Sequence, residues 1–376
     1  MTCGRPILSL HGLSRIGARL PFDCRQCLAA GSCLVVVGAF AVLSFALRVD
    51  SVGLSPDSLV YLRMSRDLRG ETWFPPAFPL LLRITDCDVR PAERAVYLNA
   101  VLLGFTVYTL CAWLLWKGLR SWLVLPFGLF ISWTYPFVVV FRWLWSEPLC
   151  LFLLAIWLAL LDVAITLKNR RWLIVSAFVL ALACLTRYVA VAFIGVALIA
   201  LGLWFRPRSW RFVMLYALSA ALPIALWIGR NELLYHTLIG RETKSLAAVS
   251  LPPLSELHRL NQTAGRWAWP LTASLYSRHV AAVGPFVWAA IVVWVVLELR
   301  ALRRGYDSGR FLILSALLYF LCVLIVRCTA YDSVPFDVRM LSPAYMLLVL
   351  AAFVRIHGWL EAWRWKRRAI TDGRGS

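Results

Sequence analysis

The sequence predicts an all-α protein, a polytopic bundle of about ten transmembrane helices. Three observations predict it. The chain of 376 residues is 61% hydrophobic and only 15% charged, where a soluble domain carries about a quarter charged residues. Apolar runs near the spanning length of ~20 residues recur from end to end. The basic residues, which leave a net charge of +20, are split among short connectors between those runs. A nucleic-acid surface would gather its charge on one face, so nucleic acid is excluded as a partner and the lipid bilayer is indicated. No segment is polar enough for a separate soluble domain. Residues 1–376 are read as one membrane domain with its core at 29–356.

The spans fall at 29–47, 96–116, 122–140, 147–166, 172–186, 188–205, 211–229, 281–298, 311–326 and 342–356. The N-terminal stretch carries Arg5, Arg15, Arg19 and Arg25 ahead of the first apolar run. No small-residue cleavage site follows that run, so the first helix is read as retained. The basic connectors at 117–120, 168–171, 206–211 and 298–310 share one side with both termini and the basic tail 357–376. The positive-inside rule makes that side cytoplasmic, in a plasma or inner membrane. Residues 172–205 are read as a hairpin, because a single crossing would split two basic connectors. Helices of about 16 residues reach only ~24 Å, short of the ~30 Å core. The hairpin tip Thr186-Arg187-Tyr188 then lies below the outer surface, where Arg187 needs a partner.

This topology leaves two large outer loops, 48–95 and 230–280, and a smaller one at 327–341. The cytoplasmic connectors are too short to hold a site, so the working surface faces outward. In the first loop, Ser55-Pro56-Asp57 reads as a helix start. Leu59, Leu62, Met64 and Leu68 give that helix a partly apolar face. Asp57 is then either a charge favoured by the helix dipole or an acid facing a cavity at bilayer level. The stretch 73–83, with Pro75, Pro76 and Pro79 before Leu80-Leu81-Leu82, reads as an interfacial segment. Glu147 heads the fourth span. It is either an N-terminal helix charge or a second acid facing Asp57.

Arg187, Arg230, Arg241, Arg327 and Arg339 all fall on the outer side. Arginine at a membrane surface often snorkels, yet a guanidinium also binds phosphate bidentately. Several common sites are missing. There is no Walker loop, GxGxxG or HExxH and no GxSxG elbow. The five histidines are scattered without ligand spacing. Cys24 and Cys27 form a CxxC without a second pair, short of a zinc site. Cys87 and Cys328 both fall in outer loops. Asn261-Gln262-Thr263 matches a glycosylation sequon.

Taken in order, several short motifs resemble the polytopic glycosyltransferases of the C-type (GT-C) fold, in particular the protein O-mannosyltransferase and lipid A aminoarabinose transferase branch. Pro-Asp-Ser-x-x-Tyr (Asp57, Tyr61) and Phe-Pro-Pro-x-x-Pro-Leu-Leu (Phe74 to Leu81) are similar to the family's first outer loop. So are Ser-Glu-Pro-Leu-x-x-Phe (from Ser146), Leu-Thr-Arg (to Arg187), Arg230-Asn231 with a later Gly240-Arg241, and Val-Arg-x-Leu-x-Pro (from Val338). The resemblance covers about residues 30–356.

The resemblance implies transfer of a sugar from a polyprenyl-phosphate donor to an extracytoplasmic glycan, lipid or protein acceptor. Asp57 would be the general base, with inversion at the anomeric carbon, and Glu147 would hold a metal or orient the acceptor. Arg187, Arg230, Arg241 and Arg339 would meet the donor phosphate. Tyr61, Tyr188 and Asn231 would position substrate. No cofactor is certain. A divalent metal is left open by the resemblance, but the chain departs from it: many members carry two adjacent acids where this chain has Asp57 followed by Ser58, with Asp50 seven residues earlier, which counts against a metal.

Two other classes compete. A lipid or small-solute transporter would carry internal repeats and acids within spans, and only Asp162 lies well within one. A membrane scaffold leaves the outward grouping of Asp57, Glu147 and the arginines without a role. A polysaccharide ligase or polymerase using lipid-pyrophosphate donors is the remaining enzyme alternative.

Overall fold

The computed structural model describes residues 24–69, 73–205, 210–238, 254–268, 277–300, 306–329 and 336–371. Those residues are overwhelmingly helical and contain no strand among them. Seven helices are long and apolar enough to cross a membrane. They are α1 (Cys24–Ala46), α4 (Pro91–Trp116), α7 (Glu147–Leu167), α10 (Trp210–Tyr235), α12 (Ser277–Arg300), α13 (Ser308–Thr329) and α14 (Val338–Thr371). The protein is therefore a multi-pass membrane protein by the length and composition of its helices. The long-helix count is lower than the ten spans expected, for two physical reasons.

First, the stretch expected at 122–140 is broken. Helices α5 (Ser121–Trp133) and α6 (Tyr135–Phe141) meet at a bend of 54°. Thr134 between them is extended, with ψ at 138°. Pro136 has no N–H to donate to the Ser132 carbonyl and its ring crowds that carbonyl, so the α5 ladder cannot run on through it, while a proline is tolerated in the first turn of α6. Second, the expected hairpin is built from helices below spanning length. These are α8 (Arg170–Cys184), of 15 residues, and α9 (Ala192–Trp204), which follows a 3-10 turn at Tyr188–Val191. The turn into this hairpin is tight: Lys168 closes α7 in the left-handed region at φ 52°, and the Asn169 side chain caps α8 through the Arg171 N–H at 2.9 Å.

The loop expected at 48–95 carries the expected short helices, α2 (Pro56–Arg66) and α3 (Ala77–Ile84), and the loop expected at 230–280 carries α11 (Leu254–Ala268). Helix α14 departs from the sequence reading. It runs unbroken for 34 residues, past the expected end of the last span at 356. Hydropathy falls there, but Glu361, Ala362, Arg364 and Lys366 are good helix formers, and Arg364 pairs with Glu361 three residues back at 2.9 Å.

Packing pairs α1 with α4, α7 with α8, α13 with α14, α8 with α10, and α11 with α12. Trp157 on α7 is fully buried at the centre. Helices α10 and α12 turn apolar side chains outward, among them Leu218, Leu226, Phe286 and Leu297. Such surface is stable in contact with lipid and costly in water.

Candidate active site

The site forms where the segment between α1 and α4 docks on the head of α7. Ser55 caps α2 by accepting the Ser58 N–H at 3.3 Å, and Ser58 Oγ accepts the Ser55 N–H at 2.9 Å. This reciprocal cap, with Pro56 in the first turn, starts the helix where the sequence predicts and leaves Asp57 in that turn. The segment before α7 is bound to it. Gly53 N–H donates to the Arg142 carbonyl at 2.9 Å, and Leu144 N–H donates to the Gly53 carbonyl at 3.0 Å. Ser58 Oγ donates to the Leu144 carbonyl at 2.9 Å, and Trp145 Nε1 donates to Ser55 Oγ at 2.8 Å. Gly53 has to be glycine here, since a Cβ would lie 2.6 Å from the Trp143 ring. From α4, Asn99 Nδ2 donates to the carbonyls of Phe141 at 2.7 Å and Trp143 at 3.0 Å.

Four charged residues then converge. Arg339, in the first turn of α14, donates from Nη2 to Asp57 Oδ2 at 2.6 Å and from Nε to Glu147 Oε1. Arg187, at the hairpin tip, also pairs with Glu147 Oε1. The Arg339 guanidinium lies 4.4 Å over the Trp145 ring, a cation–π contact. Glu147 is 3% exposed, and its second oxygen, Oε2, is buried with no hydrogen-bond partner among the described residues. Two carboxylates and two guanidiniums make a formally neutral cluster. That balance offsets the cost of burying Glu147 fully and Asp57, Arg187 and Arg339 in part.

Neighbours hold the cluster in place. Tyr61 OH and Ser146 Oγ are 2.9 Å apart, and the Tyr61 ring packs against Phe74 and Phe78 of the Pro-rich segment. Burial pushes the Tyr61 phenol above its usual range, so its hydroxyl stays neutral at physiological pH. Asp337 Oδ1 accepts the Met340 N–H at 3.0 Å and so caps α14. Burial raises the Asp337 carboxyl above the usual range, while Met340 and Arg339 pull it back down. Glu256 Oε2 on α11 accepts the Phe336 N–H at 3.2 Å, and Thr263 Oγ1 donates to the Phe336 carbonyl at 3.1 Å. Helix α11 thus sets the approach of Arg339. A narrow cleft opens beside the cluster, bounded by Glu147, Cys150, Arg187, Tyr319, Arg339 and Pro343.

Of the residues singled out from the sequence, Asp57, Tyr61, Glu147, Arg187 and Arg339 meet at this point. Arg230 and Asn231 form a separate group at the end of α10. Arg230 donates to the Leu68 carbonyl and to Asn231 Oδ1, both at 2.9 Å, and stacks 4.6 Å over Trp227. Trp227 Nε1 reaches Tyr188 OH at 3.1 Å, so Tyr188 belongs with this second group. Asn231 is fully buried, and its Nδ2 has no hydrogen-bond partner among the described residues. Arg241 lies outside the described residues. Trp145, Asp337 and Glu256 were not singled out. Trp145 sits two residues before Glu147 and was legible as its neighbour; nothing local marks Asp337 or Glu256.

The donor set does not suit a metal. Asp57 Oδ2 and Glu147 Oε1 are spent on arginines, Glu147 Oε2 is left over, and no group of three or more metal-capable side chains forms among the described residues. Compared with known proteins, the chain matches no family model and no curated protein.

Proposed function

We propose that this protein is a membrane glycosyltransferase of GT-C-like fold, moving a sugar from a polyprenyl-phosphate donor to an extracytoplasmic acceptor. The observation that carries the reading is the convergence of Asp57, Glu147, Arg187 and Arg339. They come from four separate segments, and Asp57 and Arg339 lie 282 residues apart in sequence. Counting the bent pair α5–α6 and the short helices α8 and α9 as crossings, the bundle has about ten spans. The basic connectors support an outward-facing site with cytoplasmic termini.

In this reading Arg187 and Arg339 meet the donor phosphate and stabilise the charge it gains on leaving. Asp57 removes the proton from an acceptor hydroxyl. The acceptor oxygen bonds to the anomeric carbon from the face opposite the phosphate. The bond between that carbon and the phosphate oxygen breaks, its electron pair leaves with the lipid phosphate, and the configuration inverts. Asp57 and Glu147 hold the arginines until the donor arrives. Phosphate binding to Arg339 releases Asp57, which couples base function to donor occupancy. No step runs through a metal.

The test is turnover of radiolabelled polyprenyl-phosphate sugars by wild type, Asp57→Asn and Arg339→Lys in lipid nanodiscs. The expected result is consumption of one donor by wild type, lost in a folded Asp57→Asn. Equal turnover by both sinks the base assignment. Donor movement across the bilayer without transfer would favour a transporter.

A further inference from the structure

We infer that the groove between α8 and α10, at the end of the bundle opposite the charged cluster, seats one anionic phospholipid. The inference is independent of sugar transfer. The groove is walled mainly by Leu173, Ile174, Ala177, Phe212, Leu215 and Tyr216, with Ser219 as its one further polar member below Arg170. The Tyr216 hydroxyl is held by the Trp157 Nε1–H at 2.8 Å. The outer walls, with Ile174, Phe178, Leu215 and Leu218, are exposed apolar surface on helices of a membrane protein. An acyl chain is the occupant this surface suits.

The mouth is cationic. Arg170 opens α8, and its guanidinium lies 4.1 Å over the Phe212 ring of α10. The starts of the two helices are therefore side by side. Lys168, Arg171 and Arg211 flank this point in sequence, and no Asp or Glu occurs between Asp162 and Glu232. Asp162 itself is committed to Lys117 at 3.4 Å. Among the described residues Arg170 has no carboxylate partner. Arg170 is exposed and stays within reach of water, yet its guanidinium lies over the aromatic wall at the head of the groove, where a headgroup phosphate could meet it. A guanidinium held there, with further cations around it, matches a phosphate whose acyl chain runs along α8 and α10. Basic pockets between membrane helices recognise anionic headgroups in this way.

The test is native mass spectrometry of delipidated protein titrated with phosphatidylglycerol or phosphatidylcholine. One phosphatidylglycerol should be retained at concentrations at least tenfold below those needed for phosphatidylcholine. Arg170→Gln should abolish that preference, and Arg120→Gln, which removes the same charge from a residue paired with Glu361, should leave it. Leu215→Asn, an exposed change in the groove wall, should weaken retention with every charge intact, and it serves if Arg170→Gln does not fold. Absence of preference in wild type overturns the inference. So does equal loss in Arg170→Gln and Arg120→Gln, or unchanged retention in Leu215→Asn, since either means annular lipid only.

Discussion

Helix α7 carries a buried carboxylate near each end, and the two are treated in opposite ways. Asp162 is fully buried, and both of its oxygens are satisfied. Ser308 Oγ donates to Oδ1 at 2.7 Å and so does Tyr306 OH, while Trp113 Nε1 at 3.1 Å and Lys117 at 3.4 Å meet Oδ2. Most of those donors are neutral. Glu147 is nearly as buried, yet one oxygen takes two arginines and the other takes nothing. A buried polar group is ordinarily satisfied, and an exception calls for a reason. Asp162 ties α4, α7 and the start of α13 together and has no acceptor capacity to spare. Glu147 keeps capacity unspent, beside a cleft, with cations that a phosphate would also bind. In the proposed function, the difference separates an acid that ties helices together from one that exchanges its partners for a donor phosphate.

The comparison can be broken from either end. The largest effect is expected at the cluster: Asp57→Asn should lower turnover ~10²–10⁴-fold, the usual weight of a general base. Thermal stability should stay within about 1 kcal/mol, because Asp57 is part-exposed and Arg339 keeps Glu147. Radiolabelled donor turnover and a thermal melt on the same preparation check both. At the other end, Asp162→Ala should cost about 3–5 kcal/mol of stability, since it strands Lys117 and three neutral donors. Activity per folded molecule should be kept. Reversed outcomes, with a stable Asp162→Ala and an unfolded Asp57→Asn, would exchange the two roles.

Smaller effects sharpen the same contrast. Gly53→Ala sets a Cβ 2.6 Å from the Trp143 ring and should cost about 1–3 kcal/mol by overpacking. It should also lower turnover, because the shift passes through α2 to Asp57. A melting curve with an activity assay reads both. The smallest effect belongs to Glu361→Gln, which loses the exposed pairs with Arg120 at 3.5 Å and Arg364 at 2.9 Å. Less than about 1 kcal/mol is expected, with turnover unchanged in the same assay.

Much of the helical layout was legible before the structure. Runs of Leu, Val and Ala at spanning length have few alternatives in a bilayer, and Ser55-Pro56 is a strong local start signal. The break at Thr134 was missed because hydropathy is blind to a proline that leaves the apolar run intact. The continuation of α14 was missed for the converse reason: hydropathy ends where helix propensity does not. Arg187 was legible as a buried cation in need of a partner, because the hairpin is too short to carry it to water.

The sequence by itself determined an all-α, multi-pass chain with basic connectors, and it held the candidate charges, because periodicity, hydropathy and caps act over a few residues. Only the tertiary structure decided which charges meet. Asp57, Glu147, Arg187 and Arg339 lie on four segments, and their pairing depends on helix packing, on the Gly53–Trp143 contact and on the cap of α14. It also decided that Arg230 keeps to a separate group and that Asp162 is sealed. Burial in a low-dielectric interior makes each charge seek whatever partner the fold brings near, and no local pattern encodes that neighbour.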